Sequence, residues 1–302
     1  MSNIRTKKQN ETPTEKIDNE QKVAVVTGSS SGIGYATALR LARNGYLTFA
    51  TMRNPEKGSD LIGAAKNEGL PIQVEQLNIT DPDSINDFMT RINKTVGRID
   101  VLVNNAGYWL IGALEDLSIR EIQDQLDTNL LGTIRVTRQV LPLMRERKSG
   151  TIVNVTSALG RFGLPAMSGY VASKFALEGL TESLAYEVAP FGIKVILIEP
   201  GVVKTKVKDN SVVGRRALRN DSPYSSMLGS FNAAFSVLWE NASTSDQVAA
   251  TILQAISSPE RKLRYPVGSD VAVWLEKKST MSDEQFQEYK MTSLGSLAPR
   301  QR

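Results

Sequence analysis

The feature that most constrains this chain is a rhythm of seven short β-branched and aliphatic runs separated by longer stretches of helical pattern. The runs fall at 22–27, 46–51, 72–77, 100–105, 151–156, 194–199 and 263–267, and the helical stretches at 33–44, 57–68, 82–97, 118–147, 168–189 and 244–257. Strands alternating with helices predict βαβ units and a parallel sheet. Runs such as VAVVT and VILIE are apolar without alternation, as strands covered on both faces require. The expectation is an α/β fold: a Rossmann-type doubly wound parallel sheet, three-layered, in a single domain over 22–268. The stretch 202–243 breaks the rhythm and reads as a substrate lid. Residues 269–302 read as a C-terminal appendage of weak helical pattern. Residues 1–21 mix both charge signs with almost nothing apolar, which predicts a disordered tail rather than a secretory segment.

Two residue types are missing from the 302: there is no cysteine and no histidine. Disulfides, thiolate nucleophiles and Cys-ligated zinc are thereby excluded, and no metal site is expected. Without histidine, the commonest general base, acid–base chemistry must use Asp, Glu, Lys or Tyr. No run approaches the roughly 18 apolar residues of a membrane span, so a cytoplasmic protein is expected. The net charge of +4 is too mild to imply a nucleic-acid partner. That charge is concentrated in the lid, where Lys204, Lys206, Lys208, Arg215, Arg216 and Arg219 face only Asp209 and Asp221. The stretch is either a solvated surface loop or an entrance that attracts an anionic substrate.

The first strand runs straight into Thr27-Gly28-Ser29-Ser30-Ser31-Gly32-Ile33-Gly34 and then a helix. A strand, a glycine-rich turn and a helix start together point backbone N–H groups and a positive helix terminus at a phosphate. Gly28 permits the sharp turn, while Gly32 and Gly34 let backbone approach a pyrophosphate and let the helix pack on the sheet. No Gly-Lys-Ser/Thr follows, so this is not a P-loop. Farther on, Tyr170 and Lys174 stand four residues apart and share a helix face.

The glycine spacing resembles the T-G-x-x-x-G-x-G pattern of the short-chain dehydrogenase/reductase family. Asn104-Asn105-Ala106-Gly107 after the fourth run, Ser157 after the fifth, Tyr170-Val171-Ala172-Ser173-Lys174, and Pro200-Gly201 after the sixth extend that resemblance over most of 22–205. It implies a catalytic set of Asn129, Ser157, Tyr170 and Lys174 that interconverts a secondary alcohol and a carbonyl. Tyr170 would be the acid–base group, Ser157 the hydrogen-bond partner of the substrate oxygen, and Asn129 the holder of a water relaying protons through Lys174. It also implies a nicotinamide dinucleotide site built from Gly28, Ser30, Ser31, Gly32, Ile33, Gly34, Asn105, Ala106, Gly107, Tyr170, Lys174, Pro200, Gly201, Val203 and Thr205, with Asn78 and Ile79 at the adenine. Asn78 departs from the usual Asp, and its amide oxygen accepts without charge.

The roles are physically affordable. Lowering a phenol by about 3 units takes about 4 kcal/mol, and an ammonium about 4 Å away at an effective dielectric near 20 supplies that much. Cofactor choice is read at the end of the second strand, Thr51-Met52-Arg53-Asn54. NAD-preferring folds place an acid there; here Met52 stands in its place with Arg53 and Asn54 beside it, predicting NADP (NADPH). The same stretch resembles steroid- or retinol-reducing relatives. Candidate lining residues are Tyr108, Trp109, Leu159, Phe162, Leu164 and Met167, with Tyr224, Met227, Phe231 and Phe235 from the lid, which suits an apolar small molecule. The family resemblance implies a homotetramer or homodimer through 118–147 and 168–189. Two other readings remain: a nucleotide-binding sensor or regulatory protein of the same fold without turnover, and a sugar-nucleotide epimerase, which also uses Tyr-x-x-x-Lys but with another glycine spacing and a larger C-terminal domain.

Overall fold

A computed structural model describes residues 21–205, 211–219 and 221–293. The tail reading of the first twenty residues, and Lys206, Lys208 and Asp209 of the basic stretch, lie outside the described residues. The main sheet has seven parallel strands in the order β11-β7-β6-β4-β1-β2-β3. They are β1 (Val23–Thr27), β2 (Leu47–Met52), β3 (Ile72–Gln76), β4 (Val101–Asn104), β6 (Gly150–Val155), β7 (Ile193–Pro200) and β11 (Arg264–Val267). The helices α1 (Gly32–Arg43), α2 (Ser59–Glu68), α3 (Pro82–Thr95), α5 (Thr133–Glu146), α6 (Ser168–Val188) and α8 (Ser245–Ser257) cover it.

Alternate residues of the central strands enter two different cores. Val23, Val25, Leu102 and Ile152 pack with Phe88, Ile92, Val136 and Leu184 on one face. Ala24, Val26, Val101, Val103 and Val153 pack with Leu41, Val248 and Ile252 on the other. Each buried aliphatic side chain contributes about 1.5–3 kcal/mol, so both faces need covering and unbroken apolar runs result. The order reverses between β1 and β4, and a crevice opens there beyond the carboxyl ends of the strands.

The reading of 118–147 as one helix is corrected. It is α4 (Ile119–Leu126), a π-helical turn over Asp127–Gly132, and α5. Asn129 stands in that turn, where a poor helix former is tolerated. Gly132 is needed there, because a Cβ would come within 2.7 Å of Ile79 Cδ1.

The lid is organised by two small parallel pairings: β5 (Trp109–Ile111) with β9 (Ser211–Val213), and β8 (Val203–Lys204) with β10 (Ser243–Thr244). Its main body is helix α7 (Ser225–Glu240). The C-terminal stretch forms α9 (Ser269–Thr280) and α10 (Asp283–Ser293). Phe286 and Trp274 from these helices pack on Phe162, with ring centroids 5.6 and 5.4 Å away.

Candidate active site

At the switch point, the turn after β1 and the loop after β4 are bonded together. Asn105 Nδ2 donates to the carbonyls of Thr27 and Gly28 at 3.0 and 3.1 Å, and Thr27 Oγ1 accepts from the N–H groups of Asn105 and Ala106 at 3.0 and 3.1 Å. The packing leaves no room for side chains. A Cβ on Gly28, whose φ is +69°, would sit 2.8 Å from Ala106 Cα, and one on Gly34 would sit 2.3 Å from the Gly28 carbonyl oxygen. Thr205 lies across Gly32, 3.1 Å from where its Cβ would be, so the segment from Pro200 through Gly201 and Val203 faces the glycine turn from the lid side. Ser31 at the α1 N-cap makes no side-chain capping bond, and the first turn holds no acid. Donors left open at a helix start suit a pyrophosphate, so the residues present fit a dinucleotide.

At the adenosine end, Arg53 lines a cleft of about 320 Å³ with Asn78, Asp81, Asp87 and Arg91. Arg91 is committed to Glu75 at 3.0 Å. Among the described residues no hydrogen bond or ion pair of the Arg53 guanidinium occurs. Asn54 instead caps the short turn that follows it, accepting from the Glu56 N–H at 2.9 Å. Asn78 Oδ1 accepts from Thr80 Oγ1 at 2.9 Å and Thr80 N–H at 3.3 Å, which fixes the turn that follows β3. Ile79 is buried beneath it.

Tyr170, Ser157 and Lys174 converge where β6 and α6 meet, all buried. The Ser157 and Trp109 side chains lie beside Tyr170, the Trp109 and Tyr170 ring centroids being 5.8 Å apart. Ser157 Oγ also accepts from Leu159 N–H at 3.1 Å and reaches the Pro200 carbonyl at 3.4 Å. Lys174 Nζ donates to the Val155 carbonyl at 3.0 Å and lies 5.7 Å from the centre of the Tyr170 ring. Burial pushes the Tyr170 phenol up to about 12, with Ser157 and Trp109 pulling the other way. Burial also pulls the Lys174 ammonium down to about 8, against the Glu178 carboxylate, which raises it. The depression of Tyr170 expected from Lys174 is not found: desolvation dominates, and the opposing pull comes from Ser157 and Trp109.

Asn129 spends both amide donors: Nδ2 reaches the Tyr108 carbonyl at 3.0 Å and Ser173 Oγ at 3.3 Å, while Oδ1 accepts from Tyr108 N–H at 3.1 Å. Its side chain therefore ties the loop after β4 to α6, with Gly107 leaving it room. Gln125, one turn earlier and fully buried, grips the same loop through the Tyr108 carbonyl and Leu110 N–H. Gln125 drew no attention in the sequence, although its spacing of four from Asn129 was visible there.

Of the candidate lining residues, Trp109, Leu159, Leu164, Met167, Met227 and Phe231 share one apolar cluster with Tyr170. Phe235 joins through Trp109, centroids 5.5 Å apart. Phe162 turns away to the C-terminal helices. Tyr224 reaches outward, donating to Glu115 at 2.7 Å, and Tyr108 serves mainly through its backbone. Among the described residues of the basic stretch, Arg216 faces Asp116 at 3.5 Å, Arg219 faces Asp221 at 2.8 Å, and Lys204 Nζ donates to the Glu240 carbonyl at 2.9 Å.

A switch-point crevice with a glycine-rich helix start on one side and a buried Ser-Tyr-Lys group on the other defines a nucleotide-dependent oxidoreductase of Rossmann type. The sequence model described as short chain dehydrogenase matches residues 22–215. The uncharacterised oxidoreductase YusZ of Bacillus subtilis is 39% identical over 259 residues, covering 84% of this chain and 92% of that protein. Estradiol 17-beta-dehydrogenase 1 of Rattus norvegicus is 36% identical over 254 residues, 82% of this chain and 73% of its own length. A solved short-chain dehydrogenase from Streptomyces avermitilis superposes with a TM-score of 0.78 at 34% identity, covering 92% of this chain and 98% of that one. The chain belongs to the short-chain dehydrogenase/reductase family, whose members are oxidoreductases acting on CH–OH donors with a nicotinamide dinucleotide.

Proposed function

We propose that this enzyme interconverts a secondary alcohol and a carbonyl with NADPH as the preferred cofactor, Tyr170 moving the proton. The observation that carries the reading is the burial of Tyr170 together with Ser157 and Lys174 beside the switch-point crevice, with Lys174 Nζ 5.7 Å from the centre of the Tyr170 ring. The hydride comes from the bound nicotinamide. Ser157 fixes the substrate oxygen beside the Tyr170 hydroxyl, and Lys174 supplies the positive charge below it. Asn129 holds the loop and helix around them, through its bonds to Tyr108 and Ser173. A phenol pushed up to about 12 stays protonated at neutral pH, which suits proton donation and therefore carbonyl reduction.

Arg53 supports NADPH. A guanidinium grips a 2′-phosphate with paired, charge-assisted bonds, and Arg53 has no competing partner among the described residues. The aromatic cluster of Trp109, Phe231 and Phe235 around Tyr170, together with the likeness to an estradiol dehydrogenase, supports an apolar substrate. Ile119, Phe175 and Tyr186 are 71, 45 and 77% exposed on α4 and α6, which supports a homodimer or homotetramer through those helices. Light scattering that gave a monomer mass at micromolar concentration would remove that part. No described helix is long and apolar enough to cross a membrane, and the absence of cysteine accords with a cytoplasmic location.

The test is NADPH oxidation across ketones, aldehydes, quinones and acyl thioesters as a function of pH. Reduction should be level between about pH 6 and 7, then fall as pH rises through about 8, where Lys174 loses its proton. Tight cofactor binding with no consumption across the panel would overturn the reading.

A further inference from the structure

Behind Lys174 lies a group of buried charges that the reading above leaves without a task. Glu178 stands one turn beyond Lys174 on α6, with its side chain 6% exposed. Its Oε1 accepts from Thr156 Oγ1 at 2.6 Å, and its Oε2 accepts from Arg264 Nε of β11 at 3.2 Å. Thr156 immediately precedes Ser157, and its hydroxyl and N–H also face the Ile198 carbonyl of β7 at 3.0 and 2.8 Å. The turn after Ser157 lies directly on this stretch of α6: a Cβ on Gly160 would meet Glu178 Cγ at 2.7 Å and the Lys174 carbonyl at 3.2 Å. The Glu178 carboxylate therefore bonds the residue that precedes Ser157, and Glu178 itself stands one helical turn beyond Lys174.

The charges around it nearly balance. Arg264 also meets Glu182 of α6 at 2.7 Å and Glu199 of β7 at 3.4 Å, and Arg161 meets Glu199 at 3.1 Å. Three carboxylates thus face two guanidiniums, and the Lys174 ammonium is the third cation. Glu199 is 1% exposed, so the imbalance is not absorbed by solvent there.

We propose that Glu178 is a positioning residue for the reaction: through Thr156 it fixes the approach of Ser157, and from one turn farther along α6 it sets a buried carboxylate on the same helix face as Lys174. The proposal rests on the roles assigned to Tyr170, Ser157 and Lys174 above. Its electrostatic half follows from the balance: burial works against the Lys174 charge, and Glu178 is the group that opposes it. Burial, aided by Glu199, pushes the Glu178 carboxyl up to about 6 against the opposing pull of Thr156 and Arg264, so it is an anion at neutral pH. A carboxylate that merely braced the helix would leave the titration of Lys174 unchanged when replaced by an amide of the same shape.

The experiment uses the full chain with ¹³Cε-labelled lysine, the Lys174 signal being assigned by its loss in Lys174→Arg. In Glu178→Gln the titration midpoint of Lys174 should fall by about one pH unit or more, because a buried cation has lost its neighbouring anion. With 9,10-phenanthrenequinone as carbonyl probe, the alkaline limb of kcat should move down by the same amount, with KM for NADPH within about twofold. An unchanged Lys174 midpoint in folded Glu178→Gln overturns the proposal. If that variant does not fold, Thr156→Val and Thr156→Ser decide: kcat should fall several-fold with valine and return with serine, and equal rates would overturn it. Tyr170→Phe separates the two readings. If it retains wild-type turnover, the acid–base reading fails whatever Lys174 does; if it is inactive while Lys174 ignores Glu178, only the present proposal fails.

Discussion

The two ends of this active site are built in different ways. The cofactor end is a matter of backbone: glycines at close approach, and Asn105 and Thr27 knitting two loops through main-chain atoms. The substrate end is a matter of side chains. Its lid reaches Tyr170 by way of Trp109, which Phe235 meets, and is fastened at the rim by Tyr224 to Glu115, Ser222 to buried Asp116 at 2.6 Å, and the Arg215 N–H to Glu121 at 2.9 Å. Backbone contacts that admit no Cβ tolerate little change, whereas side-chain contacts at a rim can be exchanged one at a time. Such a molecule can keep its cofactor while it changes its substrate.

Substitutions can break or sharpen that contrast. The largest effect belongs between the two ends. Ser157→Ala should lower kcat by roughly 10²–10³, the usual loss for one donor to a developing oxyanion; a near-normal rate in steady-state assays would return Ser157 to a structural role. Next, Gly34→Ala drives a Cβ into the Gly28 carbonyl. It should cost about 1–3 kcal/mol of stability and weaken NADPH binding at least roughly tenfold, read by thermal melting and fluorescence titration. Tolerance of alanine there would refute the rigid description of the cofactor end.

Arg53→Ala acts at the outer edge of the same end. Wild type should prefer NADPH over NADH by about tenfold in kcat/KM, about 1.4 kcal/mol, and the variant should lose most of that while hardly changing with NADH. Equal use of both cofactors by the wild type would show that Arg53 does not read the phosphate. The smallest effect is expected at the lid rim. Tyr224→Phe removes one exposed bond to Glu115 and should shift stability by less than about 1 kcal/mol, with KM rising no more than a few-fold. A large fall in kcat there would mean the rim is part of the catalytic frame.

The sheet was legible because its physics is local: VAVVT and VILIE announce burial on both faces before any partner is known. The glycine turn and the Tyr-Lys spacing were legible for the same reason. Asn129 gave half a signal, since its poor fit to a helix was visible but the π turn that accommodates it depends on Gly132 meeting Ile79. Asn78 and Asn54 carry a second task that the sequence did not announce, since the side-chain oxygen of each bonds the turn that follows it. Glu178 and Glu199 were silent. A glutamate in an amphipathic helix, or at the end of a strand, reads as solvent-facing until Arg264, 86 and 65 residues away, is brought beside it. The orientation of Phe162, too, depends on α9 and α10, whose pattern in sequence is weak.

One small feature of the sheet has a wider bearing. Asn104 and Asn154 are paired neighbours on β4 and β6, joined at 2.8 Å, and each continues to a helix, Asn104 to Thr137 at 3.0 Å and Asn154 to Thr181 at 2.8 Å. The valines and isoleucines around them are nearly interchangeable, so apolar packing alone would accept a strand shifted along its neighbour. A shifted strand would strand four buried polar groups, at about 1–3 kcal/mol each. The ladder therefore behaves like a checksum: it adds little to the strength of the sheet and instead rejects the wrong copies of it. Because Ser157 lies three residues beyond Asn154, a chain that passes the check has also set the Ser157 hydroxyl at its height above the crevice.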